Sequence, residues 1–169
     1  MRPEPLLVLA ALASPALASP ALAEGLEGRT VLMRGETWND PDAPLMRSQD
    51  YVGEVGPGPE FGFVPEVRGG LFVVPVLIDL SEDAVVFSYE GLPPGTFATA
   101  AFNGYVLTFP VECTLLAGAR VDPTTTTLPL APDAVEVGPQ QLSVNVSGLS
   151  YGPEDRIGLR LDVTDCAVS

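Results

Sequence analysis

Twenty-two carboxylates, eight arginines and two cysteines carry most of the charge and reactivity of this 169-residue sequence, which contains neither histidine nor lysine. Without histidine there is no imidazole base, no Ser-His-Asp or Cys-His site and no His-ligated metal. Without lysine there is no Schiff base and no P-loop. Carboxylate chemistry survives this exclusion. Asp40 with Asp42, Glu82 with Asp83, Glu154 with Asp155, and Asp162 with Asp165 form local acidic clusters. A glycosidase needs two such groups about 5–10 Å apart across a sugar. A small chain with this many acids offers chance pairs, so the clusters read first as solvated turn and surface charges. No catalytic residue is singled out, and glycoside hydrolysis ranks third among the functional readings.

The same acids could serve a hard cation, because calcium takes six to eight oxygen ligands from loops. Asp40 and Asp42, and Asp79 with Glu82 and Asp83, are the candidate ligands. No EF-hand or glycine-rich repeat specifies a site, so no cofactor is expected and calcium is the one these residues could accept. Among the aromatics, Trp38 stands in a polar, proline-rich stretch and is the candidate ligand contact. Tyr51, Tyr89, Tyr105 and Tyr151 read more simply as core or sheet-face residues. Asn145-Val146-Ser147 matches a glycosylation sequon and is read as coincidence. Arg34, Arg68, Arg120, Arg156 and Arg160 are scattered and suggest no patch.

The net charge of −14 and a pI near 4.1 repel phosphate backbones, which excludes nucleic acid as a partner. The amino terminus has Arg2, an apolar run over residues 6–13 and small residues at Ala21 and Ala23. This is the pattern of a secretory signal over residues 1–23, with cleavage after Ala23 or, alternatively, Ala18. The run is too short to span a membrane and is interrupted by Pro15 and Pro20, and no later apolar stretch is long enough. Export to the periplasm or the extracellular space follows. Cys113 and Cys166 would meet an oxidising compartment there, and one disulfide is the simplest reading.

Residues 24–169 then form a single domain. Proline and glycine punctuate the chain, and apolar residues alternate with period two. Strands are expected at 30–36 and 51–55, and a hairpin at 71–80 and 84–90, with a bulge or sheet switch at Pro75. Residues 97–109 follow, interrupted at Asn103-Gly104 by either a tight turn or a kink. Further strands are expected at 111–121, with Cys113 inside, at 141–149 and at 157–163. Thr124 to Thr127 form a loop or short extended link. About eight to ten strands and little or no helix define an all-β antiparallel β-sandwich.

The segments FNGYVLTF (102–109), VDPTTTTL (121–128), LSVNVSGLSY (142–151) and RLDV (160–163) occur in that order. The chain resembles a loose group of small exported all-β bacterial proteins with FNG, VNxxGLS and LDV segments. That resemblance implies export and a β fold, and it implies no active site. The sequence therefore points to an exported, non-enzymatic structural or binding module whose partner is a protein, a second copy or a glycan. A sheet edge bent at Pro75 is one place where a partner strand could pair. A calcium-dependent carbohydrate-binding module is the alternative.

Overall fold

The computed structural model describes residues 25–62, 66–68 and 71–165, and among these the regular structure is all strand apart from one 3-10 turn. In order, the strands are β1 (Thr30–Trp38), β2 (Met46–Arg47), β3 (Tyr51–Glu54), β4 (Glu66–Arg68) and β5 (Leu71–Val73). Next come β6 (Leu77–Ser81), β7 (Ala84–Ser88), β8 (Gly95–Thr96), β9 (Phe102–Thr108) and β10 (Leu116–Val121). The last are β11 (Val135–Gly138), β12 (Gln141–Asn145), β13 (Ser150–Tyr151) and β14 (Arg156–Val163). One 3-10 turn, Pro132–Ala134, precedes β11.

Two antiparallel sheets make the sandwich. The larger runs β11-β12-β9-β1, with β2 and β3 both pairing along the far side of β1. The smaller runs β10-β14-β7-β6. Two short pairs, β4 with β5 and β8 with β13, stand apart from them. Alternation explains the layers. Val31, Met33, Tyr105, Leu107, Leu142 and Val144 face inward from the larger sheet. Ile78, Leu80, Val85, Phe87, Ile157 and Leu159 meet them from the smaller. Each side chain buried this fully contributes about 1.5–3 kcal/mol relative to exposure. No helix among the described residues is long and apolar enough to cross a membrane.

The chain changes sheets at Pro75, whose missing N–H suits a break in the ladder: β5 pairs with β4 and β6 joins the smaller sheet. The outer edge of β6 is covered. Phe61 and Ile78 exchange backbone bonds of 3.2 and 2.9 Å, and a Glu60 carboxylate oxygen accepts the Leu80 N–H at 2.7 Å. A partner strand finds little free backbone along that part of β6. The expected strand at 111–121 begins only at Leu116. The residues before it, Cys113 included, cross from one sheet to the other, where the Leu115 and Leu116 N–H groups donate to the Pro139 carbonyl.

Asn103-Gly104 makes no turn and lies inside β9. Its role is a close approach between strands, since a Cβ at Gly104 would collide with the Val144 carbonyl. The asparagines on either side of this contact tie down the turns. Asn103 donates from Nδ2 to the Ala98 carbonyl at 2.7 Å, and Asn145 donates to Ala101 at 2.9 Å. Asn145 Oδ1 also accepts the Asn103 and Ser147 N–H groups. The FNG and VNVSG segments are thus clamps between adjacent strands, and the sequon asparagine uses both ends of its amide in them. The threonine run is an edge strap on β14. Thr126 Oγ1 bonds both backbone groups of Gly158, and Thr127 Oγ1 accepts the Arg156 N–H at 2.9 Å.

The close approach at Gly104 gives a direct test. Gly104→Ala is expected to cost about 1–3 kcal/mol by forcing β9 and β12 apart. The loss should appear as a lower urea midpoint, and an unchanged midpoint would contradict this packing.

Candidate functional site

The period-two alternation of β1 turns Arg34, Glu36 and Trp38 to the outer face of the larger sheet. The β1–β9 register sets Trp38 opposite Phe102 and Arg34 opposite Val106. Trp38 and Phe102 stack with ring centroids 5.2 Å apart and planes 12° from parallel. Phe102 is buried while Trp38 stays partly exposed.

Beside the rings, Glu36 is only 6% exposed, which a lone carboxylate could not sustain. Arg34 Nε and Arg47 Nε both donate to its Oε1, at 2.5 and 2.9 Å. Arg34 also reaches Asp50 at 3.2 Å. Burial works against the Arg34 charge, but the bonds to Glu36 and Asp50 outweigh it and hold its pKa above the ordinary value. Pro41, Glu136, Gln141 and Ser143 complete the rim of a shallow hollow of about 170 Å³. A flat aromatic surface beside fixed planar donors is suited to a ring with one apolar face and hydroxyl edges.

The inner side of the same sheet end carries a second concavity, of about 280 Å³. Its floor is formed by the register rows Gly35–Tyr105 and Thr37–Asn103, and its wall by Phe97 and Tyr151. Behind the wall lies an aromatic cluster. Phe97 and Tyr151 centroids are 4.8 Å apart, and Tyr89 lies 5.7 Å from Phe97 and 5.5 Å from Tyr151. The Tyr105 hydroxyl donates to the Val74 carbonyl at 3.2 Å. Tyr89 is wholly buried, and its hydroxyl forms no well-aligned hydrogen bond. Desolvation pushes the Tyr89 pKa far up, and it does the same for Tyr105.

The sequence-expected site residues fare differently. Trp38 does sit on a concave polar surface. The tyrosines do not join it: Tyr89, Tyr105 and Tyr151 gather on the inner side, and Tyr51 packs against the core. Asp40 caps its own turn, accepting the Asp42 N–H at 3.0 Å. Asp79 lies on β6, while Glu82 and Asp83 stand in the β6–β7 turn, where Asp83 pairs with Arg160 at 3.1 Å. Among the described residues no three cysteines, aspartates or glutamates converge as metal ligands would. Cys113 lies half-buried in the crossover before β10, and Cys166 lies outside the described residues.

Sequence reasoning missed the clamp of Arg34, Glu36 and Arg47, and with it Phe102. Alternation in β1 already placed 34, 36 and 38 on one face. Arg47 and Phe102 arrive through strand pairing, which no local pattern encodes. Comparison with protein families, with characterised proteins and with solved structures finds no match to this chain.

Proposed function

We propose that this chain is an exported, non-enzymatic binding module that presents the Trp38 face of its larger sheet to a glycan. The observation that carries the reading is the flat Trp38–Phe102 stack held beside Glu36, whose carboxylate is shared by two arginines. Stacking supplies an apolar platform, and Arg47, half-exposed at the rim, supplies donors that a hydroxyl-bearing chain can meet. The lack of histidine and lysine supports binding over catalysis. So does the state of Glu36, since a carboxylate clamped twice on one oxygen is poorly placed to move a proton.

Trp38 is the sole tryptophan, so its fluorescence reports on this face alone. A panel of neutral bacterial and plant polysaccharides should include at least one that shifts the emission. Arg47→Ala should weaken that response at least tenfold, with a lowered melting midpoint because Glu36 then keeps Arg34 alone. Repeating the titration in EDTA and in calcium separates side-chain binding from a calcium-dependent module. No shift from any polysaccharide in either condition would overturn the reading and leave a passive structural role.

Export also gives Cys113 and Cys166 a reason to pair. Thr164, two residues before Cys166, donates its N–H to the Leu115 carbonyl at 2.8 Å and its hydroxyl to Thr114. The end of β14 therefore runs beside the Cys113 segment. A bridge closing about 54 residues would contribute on the order of 4 kcal/mol. The oxidised chain should be two hydrogens lighter than the reduced one and should melt higher. Two thiols that alkylate without prior reduction would contradict the bridge.

A further inference from the structure

We propose that the inner pocket at this end of the sandwich binds a single neutral pyranose ring, either a free monosaccharide or the end of a chain. This site is distinct from the Trp38 face and does not depend on it. Three observations converge. The volume, about 280 Å³, lies at the small end of ligand pockets and suits one ring rather than an extended chain. None of the described lining residues is charged, in a protein where acids abound, so among them neither a uronate nor an amine finds a counter-ion.

The third observation is the match of surfaces. Phe97 and Tyr151 supply aromatic lining on one side, while Thr37 and Asn103 bring polar side chains to the other. Thr37 Oγ1 gives its proton to Asn103 Oδ1 at 3.0 Å and keeps its lone pairs. Asn103 Nδ2 bonds Ala98 and keeps a second N–H. Thr96 Oγ1, paired with Ser150 Oγ at 3.2 Å, adds one more group at the mouth. Spare acceptors beside a spare donor suit hydroxyls, which both give and take a hydrogen bond. A purely apolar occupant would leave these groups unmet. Gly35, in the inner-face row with Tyr105, lines the floor without a side chain.

Saturation-transfer NMR on the oxidised chain, residues 24–169, tests the site with D-glucose, D-galactose, N-acetyl-D-glucosamine, D-glucuronate and a neutral trisaccharide at millimolar concentration. At least one neutral sugar should receive saturation and glucuronate should not. Transfer to the trisaccharide confined to one terminal ring would identify a chain end as the occupant, and transfer to the monosaccharide alone would identify the free sugar. Ala98→Trp, at the exposed mouth, should cut the transfer at least tenfold, whereas Arg120→Ala, exposed on β10 and remote from both concavities, should leave it unchanged. In the unmutated protein the sugar should move the backbone amide signals of Thr96, Ala98 and Asn103 and leave that of Arg47 still, a readout independent of how any variant folds. No transfer from any neutral sugar, or shifts centred on Arg47, would overturn the proposal.

Discussion

The pairing register of β1 with β9 is the constraint on which the rest depends. Seven residue pairs, from Leu32–Thr108 to Trp38–Phe102, fix which side chains of the larger sheet face water and which face the core. With this register Arg34, Glu36 and Trp38 share the outer face, and Gly35 and Thr37 share the inner one. Side chains alternate with period two, so a slip of one residue would bury the charges and expose Met33 and Val31. Two concavities on opposite faces of one sheet end are therefore a single consequence of one alignment.

The alignment is held by features at its flank. Gly104 lets β12 lie close against β9, and the side chains of Asn103 and Asn145 satisfy turn backbone that would otherwise need water. Electrostatics follow the same economy. Arginines are scarce against the acids, and several are committed to named partners: Arg34 and Arg47 to Glu36, Arg120 to Asp162, Arg156 to Glu90, and Arg160 to Asp83. Exposed pairs of this kind contribute little each. The Glu36 cluster differs because its carboxylate is buried, so removing either arginine would weaken what compensates a desolvated charge.

Alternation along 141–149 and 157–163 made β12 and β14 readable, although β12 ends at Asn145, and Pro75 announced a bulge or a sheet switch through its missing donor. The β6–β7 hairpin was legible from its acidic turn. What the sequence concealed depends on distant partners. Asn103-Gly104 reads equally as a turn or as a kink within one strand; it lies within the strand, and what the sequence hides is its purpose, the close approach of a neighbouring strand. Residues 111–115 look like strand because they are apolar, but they span the gap between sheets. Trp38 stood out by its surroundings. The clamp beside it did not, since Arg47 reaches Glu36 only through the β1–β2 pairing.

Cross-strand proton contacts around the lone indole test the central alignment most directly. A nuclear Overhauser spectrum of the isotope-labelled chain should connect the Trp38 ring to the Phe102 ring, and the Thr37 side chain to Asn103. Contacts from the Trp38 ring to core residues such as Tyr105 or Leu107 would mean that β1 pairs in another register. The outer hollow and the inner pocket would then both be lost.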